Sequence, residues 1–382
     1  MKSMTLESML QDGFTRKFAT YFLNILEEEK HNPIFDQGFV EWAHSRGFSA
    51  EFASVLELTE ENYKDYLPEY DFYKVWPLNN WSRIWINDKL TLKYTLSKTE
   101  FAAYMPLYYY YSRPDGLRSL MDNPIMAGGE NYSAFIDTLK QVGDFACKPC
   151  NGTQSSGFYK LSYSGGFFIN DQEVSEAEII EFVKQHPNYV FTEYLRPSKE
   201  WAIYSPLIHT LRIMIINEHG NDPRFFGNNN IRIPHTGGGA ANYIRHDGTN
   251  NEEYNIYASL DLETGKYGNT LAVYPNGVKK ISVHPDTGAD LNGQIDCINE
   301  LKKVSMDIAL WLNNLEFIGL DFGITTSGVK IMEINTHPGM TVSQYGVPLY
   351  KDDEIKRYFE KKLAEIDSMS EEERIIRNNI PR

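Results

Sequence analysis

The chain contains 382 residues, of which 42% are hydrophobic and 23% are charged, proportions that are typical of soluble globular proteins and exclude a disordered or fibrous chain. At roughly 100 to 200 residues per domain, this length predicts two or three modules. Lysine and arginine number 37 against 52 aspartates and glutamates, so the net charge of −15 argues against nucleic acid and anionic membrane surfaces as partners. A local basic pocket is still compatible with this acidic total.

The sequence indicates neither a membrane segment nor a disulfide framework. No apolar run approaches the roughly 18 to 20 residues that span a bilayer, and the first residues lack the basic and apolar segments of a signal peptide. The three cysteines, Cys147, Cys150 and Cys297, are too few and odd in number for a disulfide framework. We therefore expect a cytoplasmic protein with reduced thiols and no membrane insertion.

The first part of the chain has the apolar spacing of helices. Apolar side chains recur at helical intervals at Phe14, Phe18, Phe22 and Ile25, and strand–helix alternation is missing from this stretch. The pattern predicts a mostly helical N-terminal region over residues 1–84.

After position 147 the composition changes to short β-rich segments separated by glycines. Ser175 is followed three residues later by Glu178, a capping box that predicts the start of a short amphipathic helix before Pro187. Strand-like runs follow over residues 189–194, 207–216, 230–233 and 254–261. Longer helices are predicted over 293–313 and 352–374 from their apolar spacing. These elements predict an α+β fold class without internal repeats.

The most specific motif lies in the last fifth of the chain. Asp321 lies in a Gly-Leu-Asp-Phe-Gly segment, and a turn at 325–328 separates it from a segment that contains Glu333 and Asn335. If the turn pairs two strands, Glu333 and Asn335 share one face and Asp321 lies opposite them. Such hard oxygen ligands suit Mg²⁺, whereas the alternative is a plain β-hairpin with its polar side chains in solvent.

A glycine-rich segment lies upstream of this motif. Lys148 precedes the stretch 152–157, whose small residues would let backbone N–H groups approach phosphates while the lysine adds a positive charge. A flexible hairpin is the alternative, since the Walker A pattern is absent from the sequence. Cys147 and Cys150 also form a C-x-x-C pattern, but a structural zinc needs four ligands and a glycine-rich turn stands where thioredoxin-like motifs have a helix.

Charged residues at further positions stand in informative surroundings. Lys89 heads a helix-like segment, although a solvated surface lysine is the alternative. Glu193 ends a strand-like run, and Glu200 follows seven residues later. Arg212 stands in an apolar strand, where a charge is costly unless paired, so either an anionic ligand or a salt bridge with a neighbouring carboxylate is expected.

Taken together and in order, these residues resemble the ATP-grasp superfamily, in which two α+β subdomains clamp ATP. The resemblance covers roughly residues 85–340, and the chain is most similar to the sugar-transfer-associated group in its segments 209–212, 284–293 and 318–321. The helical N-terminal region departs from the α/β domain that commonly precedes such a core. The resemblance implies a core over 85–382, with a glycine-rich lid at about 140–195, a metal-binding and acceptor part at about 196–345 and a C-terminal helix at 351–375.

The resemblance also implies a role for each of these positions. Lys89 and Lys148 would contact the ATP phosphates. Arg212 would meet the transferred phosphate or the acyl intermediate, and Lys148 and Arg212 are the candidate catalytic residues. Mg²⁺ would be held by Asp321, Glu333 and Asn335. The remaining contacts to ATP are implied for Gly152, Ser155, Ser156, Gly157, Glu193, Tyr194, Leu195, Glu200 and Met332.

Members of the group look like ligases of capsule or cell-wall polysaccharide loci. The resemblance therefore implies a ligase that uses ATP and Mg²⁺ to activate a carboxylate as an acylphosphate and joins it to an amine, with a uronic acid or another sugar-linked carboxylate as a candidate. The loop 234–242 with Arg232 is expected on the acceptor side, with a mobile loop as the alternative. Small-molecule substrates are the expected partners, and a homodimer is left open. An ATP-grasp phosphotransferase and a carbohydrate-binding protein without catalytic activity are the alternative functions.

Overall fold

The computed structural model describes residues 4–121, 129–152, 157–237, 242–249 and 252–380 of the chain. The chain divides into two compact units. The first unit comprises Met1–Ile84, His209–Asp321 and Ile334–Arg382, and the second comprises Trp85–Ile208 and Phe322–Glu333. Among the described residues, none of the helices is both long enough and apolar enough to cross a bilayer.

Twelve α-helices occur within the described residues. Five of them lie before residue 84 and no strand accompanies them there, which confirms the prediction of a helical N-terminal region. Their bounds are α1 (Leu6–Gln11), α2 (Arg16–Glu29), α3 (Gln37–Ser45), α4 (Ala50–Val55), α5 (Glu69–Val75), α6 (Ile84–Asn87), α7 (Lys89–Leu96), α8 (Tyr132–Val142), α9 (Glu176–Gln185), α10 (Ile298–Trp311), α11 (Asp353–Asp367) and α12 (Glu371–Asn378).

Sixteen strands lie in the described parts of the chain, and together with the helices they confirm the α+β class. Their bounds are β1 (Tyr108–Arg113), β2 (Gly116–Ser119), β3 (Asp144–Pro149), β4 (Tyr159–Tyr163), β5 (Phe167–Ile169), β6 (Gln172–Val174), β7 (Tyr189–Glu193), β8 (Thr210–Ile216), β9 (Arg224–Phe225), β10 (Asn229–Ile233), β11 (Asn255–Leu260), β12 (Lys266–Tyr274), β13 (Gly277–Ile281), β14 (Gly293–Gln294), β15 (Phe317–Thr325) and β16 (Gly328–Asn335).

The second unit is built on a seven-stranded antiparallel sheet with the order β2-β1-β7-β3-β4-β5-β6. The amphipathic helices α8 and α9 supply buried side chains, such as Phe135 and Ile179, to a core that they share with Phe145 and Phe191 of the sheet. Helix α9 begins at the predicted capping box, in which the Ser175 hydroxyl accepts from the backbone of the third helical residue.

The first unit is built on a nine-stranded sheet whose main order is β13-β12-β11-β10-β8-β15-β16, with β14 beside β12 and β9 beside β8. Strands β15 and β16 contribute residues to both units, because the division falls at 321/322 and 333/334. The N-terminal helices share the core of this unit: the ring of Trp76 lies 5.7 Å from that of Phe317, which also contacts Phe226 and Phe359. Residues 1–84 therefore fold together with this sheet.

Two predicted helices differ from those observed. The helix predicted from residue 293 begins at Ile298, because Gly293–Gln294 form β14 and pair with β12. The predicted C-terminal helix is two helices, since Ser370 makes a second capping box and starts α12 after the end of α11 at Asp367.

Candidate active site

A cleft within the second unit brings together two lysines and one glutamate. Lys89, at the start of α7, Lys148, at the end of β3, and Glu333, on β16, all line it. The position of Lys89 follows from local sequence: the Asp88 side chain accepts a hydrogen bond from the backbone N–H of Thr91 at 2.8 Å and fixes the start of α7. The other lining residues are Ile86, Asn87, Leu92, Met105, Pro106, Tyr108, Val190, Thr192, Ile331 and Met332.

The electrostatics of this cleft favour an anionic ligand. Burial and the neighbouring positive charge of Lys89 together lower the pKa of Lys148 to about 8, while the carboxylate of Glu333 opposes both effects. Two ammonium groups against one carboxylate leave a local excess of positive charge in a chain whose net charge is −15. A phosphate group placed there would relieve the repulsion between the lysines.

Hydrogen bonds from Lys89 hold the start of the glycine-rich loop. Lys89 donates a hydrogen bond from Nζ to the carbonyl oxygen of Gly152 at 2.9 Å, and its backbone N–H donates to the carbonyl of Cys150 at 2.8 Å. Gly157 has a φ of +73°, and a Cβ there would lie 2.6 Å from the hydroxyl oxygen of Tyr189, so a residue with a side chain would be strained and would displace this hydroxyl. Ser155 and Ser156, predicted to contact ATP, lie outside the described residues.

The residues predicted to contact the adenine and the ribose do not line the cleft. Glu193, Tyr194, Leu195 and Glu200 are not among the described residues that line the cleft. The carboxylate of Glu193 accepts hydrogen bonds from the backbone N–H of Leu107 at 3.2 Å and from the Ser327 hydroxyl at 3.1 Å. Glu200 is exposed, and its carboxylate accepts from the hydroxyl of a nearby serine at 2.7 Å. Among the described residues that were predicted to contact ATP, only Met332 of β16 and the two lysines line the cleft.

The first unit contains a buried ion pair between two predicted site residues. Nη2 of Arg212 donates to Oδ2 of Asp321 at 2.7 Å, and Nε of Arg212 donates to Oδ1. Each residue is only 5% exposed. Asn335 Nδ2 donates to the same Oδ2 at 3.1 Å. The salt-bridge alternative for Arg212 is thus the arrangement observed, and its contact to a transferred phosphate stays a prediction.

Gly319 permits the close packing around this pair. A Cβ at position 319 would lie 2.8 Å from Cβ of Pro338 and 3.1 Å from Cδ of Arg212. The arginine stem therefore packs directly against the backbone of β15, beside the carboxylate to which its guanidinium donates. In the Gly-Leu-Asp segment, Asp321 therefore supplies the carboxylate and Gly319 leaves the space for the side chain of Arg212.

The chemistry of the Asp321 and Asn335 side chains fits a hard divalent cation. A carboxylate and an amide oxygen are ligands that Mg²⁺ accepts, and the buried carboxylate already has a cationic partner. Glu333, the third predicted ligand, belongs to the second unit. No group of three or more histidine, cysteine, aspartate or glutamate side chains that could hold a metal occurs in the described part of the chain.

Further polar residues share the face of the sheet that carries Arg212. Asn230 lies directly across from Arg212 in the pairing of β8 with β10, and Arg232 follows two residues along β10. Arg232 Nε donates to Oδ1 of Asn230 at 3.4 Å, and the Arg232 guanidinium lies 5.9 Å from the ring centroid of Tyr257. The sequence pattern singled out Arg232 but missed Asn230 and Tyr257, because neither is informative without its strand partners.

The loop expected on the acceptor side is fixed at its base. The side chain of Asn255 accepts from the backbone N–H of His235 at 3.2 Å and donates to the carbonyl of Asn242 at 2.7 Å. The Thr236 hydroxyl donates to the carboxylate of Asp286. Residues 238–241 of this loop lie outside the described residues.

Comparison with known proteins identifies a family that matches more than half of the chain. The family model for sugar-transfer associated ATP-grasp matches residues 125–348, a range that contains the glycine-rich loop, Arg212 and the Asp321 to Asn335 motif and leaves Lys89 outside. None of the curated proteins matches the chain.

Solved structures similar to this chain are enzymes of low sequence identity. D-alanyl-alanine synthetase A from Vibrio cholerae is 16% identical, with a TM-score of 0.38, over 78% of this chain and 65% of that one. D-alanine–D-alanine ligase from Bacillus anthracis is 14% identical, with a TM-score of 0.37, over 75% of this chain and 69% of that one. N5-carboxyaminoimidazole ribonucleotide synthetase from Thermotoga maritima is 10% identical, with a TM-score of 0.33, over 67% of this chain and 43% of that one. The chain thus spans less than two thirds of the first of these enzymes, and the family match carries the assignment.

Proposed function

The chain belongs to the sugar-transfer-associated ATP-grasp family, and we propose that it is an ATP- and Mg²⁺-dependent carboxylate–amine ligase. In this proposal the carboxylate is carried by a uronic acid or another sugar-linked molecule, and the second substrate is an amine such as that of an amino acid. The paired lysines of the cleft, Lys89 and Lys148, are the observation that carries the proposal, because they concentrate positive charge in an acidic chain beside a glycine-rich loop.

The lysines of the cleft would bind the phosphates of ATP. Lys148 is half-buried next to Lys89, and the repulsion between them falls when an anion separates the two ammonium groups. Because Lys89 also donates to the carbonyl of Gly152, phosphate binding and the position of the glycine-rich loop would be linked. Ser155, Ser156 and Gly157 complete the proposed loop contacts, and Met332 would lie against the nucleotide from β16.

Glu193, Tyr194 and Leu195 are proposed to hold the adenine through their backbone and Glu200 the ribose hydroxyls. Support for these four residues comes from the sequence resemblance alone. For these residues to contact the nucleotide, the adenine and ribose would have to extend out of the cleft that contains Lys89 and Lys148.

Mg²⁺ would be held by Asp321, Glu333 and Asn335, and when bound it would supply positive charge against the phosphates. Arg212 is proposed to donate hydrogen bonds to the transferred phosphate, since its five N–H donors match the oxygens of a phosphoryl group. Arg232, on the same face of the sheet, is proposed to bind the acceptor side together with the loop 234–242.

The reaction proceeds in two displacements. A carboxylate oxygen attacks the γ-phosphorus of ATP, the bond from that phosphorus to the bridging oxygen breaks, and ADP leaves. The amine nitrogen then attacks the acyl carbon of the acylphosphate, phosphate leaves, and one amine proton is released. The side chains of the protein position the reactants and stabilise phosphate charge, because phosphoryl transfer requires little covalent participation by the enzyme.

ADP release across pairs of carboxylates and amines tests the proposal. Uronic acids, sugar nucleotides with a carboxylate and amino acids would be combined with ATP and Mg²⁺, and the products identified by mass spectrometry. We expect ADP formation that needs both substrates and a product that contains the new amide. A phosphorylated product without amide would contradict the ligase and support a phosphotransferase, whereas sugar binding without ATP turnover would support a carbohydrate-binding protein.

A further inference from the structure

The ion pair between Arg212 and Asp321 occupies the carboxylate that the proposed function assigns to the metal. Arg212 donates to both oxygens of Asp321, and Asn335 donates to one of them as well. We infer that Arg212 is the resident counter-ion of Asp321 in the metal-free protein, and that a divalent cation binds by displacing the guanidinium from the carboxylate. The inference rests on the proposed metal site and adds a specific order of events to it.

Burial explains why the carboxylate needs a resident cation. Asp321 is 5% exposed on a strand between apolar neighbours, of which Leu320 and Phe322 are fully buried. An ionised carboxylate in such a place is stable only with a cation or several hydrogen-bond donors beside it. A guanidinium supplies both, because it is always charged and its two parallel N–H groups match the two oxygens.

The same geometry makes the guanidinium and a metal competitors. A divalent cation coordinates lone pairs of the carboxylate oxygens, and the N–H groups of Arg212 point at those lone pairs from one side. The amide of Asn335 also presents its N–H to Asp321, so its oxygen becomes a metal ligand only when the amide contact changes. Arg212 and Asn335 together use three of the roughly four lone-pair positions of the carboxylate, so a cation that coordinates both oxygens of Asp321 has to displace existing hydrogen bonds.

Release of the carboxylate is proposed to move only the end of the Arg212 side chain. The stem of Arg212 packs against Gly319, where a Cβ would lie 3.1 Å from Cδ, so the glycine leaves room for the stem beside β15. Asn230 lies across from Arg212 on β10, and its side chain already donates to the carbonyl of Asn228 and accepts from Arg232. The released guanidinium of Arg212 would remain beside the metal and would be available to bind a phosphate.

Mn²⁺ binding measured by electron paramagnetic resonance tests this inference without catalytic turnover. Mn²⁺ has the same preference for oxygen ligands as Mg²⁺, and its free form gives a signal that falls on binding. If the carboxylate is free of Arg212 for at most about 10% of the time, the apparent affinity is reduced by that fraction. We expect Arg212→Met and Arg212→Gln to bind Mn²⁺ at least about tenfold more tightly than the wild-type protein.

Two further variants make the result specific. Asp321→Asn in the Arg212→Gln background removes the proposed ligand and should abolish the gain, which separates this site from cations bound to the acidic surface. Arg224→Met removes an arginine of the same unit that pairs with Asp352 at 3.0 Å on the surface, and should leave Mn²⁺ affinity unchanged. Thermal unfolding supplies the second readout: Mg²⁺ should raise the melting temperature of Arg212→Gln more than that of the wild-type protein.

Unchanged or weaker Mn²⁺ binding in folded Arg212→Gln would overturn the inference, because it would mean that the arginine supports the metal ligands without competing for them. The failure of this inference and that of the ligase are distinguishable. A protein that forms the amide product but shows no gain in Mn²⁺ affinity contradicts only the counter-ion role. A protein that shows the gain but forms no amide contradicts only the ligase.

Discussion

Arg212 and Asp321 form a buried bidentate ion pair across the neighbouring strands β8 and β15, although they lie 109 residues apart in the chain. The sequence analysis assigned Arg212 to a phosphate and Asp321 to a metal, and in the structure these two side chains bind each other. Since both side chains are buried, the loss of either partner leaves an uncompensated charge in the sheet.

The first prediction is that Asp321→Asn and Glu333→Gln both abolish Mg²⁺-dependent ATP turnover but differ in stability. Asp321→Asn leaves the Arg212 guanidinium buried without its anion, which should lower the free energy of unfolding by about 3–5 kcal/mol. Glu333→Gln removes a carboxylate that faces the cleft lysine Lys148, and should change the free energy of unfolding far less. Urea unfolding and ADP release measure the two effects.

The surface pair of Glu27 with Lys30, joined at 2.6 Å, provides the control for this comparison. Glu27→Gln removes a carboxylate from an exposed ion pair and should leave the unfolding curve unchanged. If Asp321→Asn were as stable as the wild-type protein, the ion pair would have no net stabilising effect. Normal turnover in either site variant would contradict the metal assignment.

The second prediction concerns the pH dependence of nucleotide binding. Burial, aided by the charge of Lys89, lowers the pKa of Lys148 to about 8, so raising the pH from 7 to 9 removes its proton in the free protein. A bound phosphate favours the charged lysine, and ADP affinity should therefore fall roughly tenfold between pH 7 and pH 9. Calorimetric titration with ADP and Mg²⁺ measures this change.

Lys148→Gln should weaken ADP binding at pH 7 and remove most of the pH dependence. Lys184→Gln, which removes an exposed lysine from the same unit, should behave as the wild-type protein does. A wild-type affinity that is constant from pH 7 to pH 9, or a Lys148→Gln profile as steep as the wild-type one, would show that this lysine does not bind the phosphates.

Local sequence signals predicted local structure well. The capping box at Ser175 and Glu178 starts α9, and the turn between Thr325 and Gly328 joins β15 to β16. Both features are decided within a few residues, so neighbouring side chains suffice to predict them. The capping box at Ser370 carries the same kind of signal, and recognising it would have divided the C-terminal helix correctly.

Features that depend on distant residues were not accessible in the same way. Gly293–Gln294 continue an apparently helical stretch but form a strand because Lys266–Tyr267 pair with them. The sequence allowed either a phosphate or a carboxylate for Arg212, and only the packing of β8 beside β15 selects the carboxylate of Asp321. Likewise, the contact between Lys89 and the loop at Gly152 depends on the folding of the second unit.

The third prediction is that the C-x-x-C cysteines are chemically inert. Cys147 and Cys150 are both fully buried free thiols, and burial raises the pKa of Cys150 to about 12 and that of Cys147 further. Neither should react with a thiol reagent at pH 8 until the protein is unfolded. Cys147→Ser and Cys150→Ser should each cost about 1–3 kcal/mol of stability through a buried hydroxyl and leave ADP affinity unchanged in the folded protein.

Mass spectrometry after alkylation under native and denaturing conditions checks the reactivity of each cysteine. The half-buried Cys297 serves as the internal comparison, since it lies outside the C-x-x-C pattern. Rapid labelling of Cys150 in the native protein, or zinc found at one equivalent by elemental analysis, would contradict the assignment of these residues to the core.

The fourth prediction is that Glu69→Gln stabilises the protein at high pH only. Glu69 is 4% exposed and accepts a hydrogen bond from the backbone N–H of Ser49 at 2.7 Å, and burial, with Glu29 nearby, raises its pKa to about 7. The unfolded chain ionises this group near its ordinary value, so the native state binds more protons than the unfolded state between about pH 4.5 and pH 7, and the stability contributed by the group declines as the pH rises through that window. A glutamine keeps the acceptor oxygen without the charge, and should raise the free energy of unfolding by up to about 3 kcal/mol at pH 8 while having little effect at pH 5.

Glu28→Gln, on the exposed face of α2, is the matched control and should have no effect at either pH. If Glu69→Gln destabilised the protein equally at pH 5 and pH 8, the glutamate would be required for its shape and hydrogen bonds, and its ionisation would not limit the stability of the N-terminal helices.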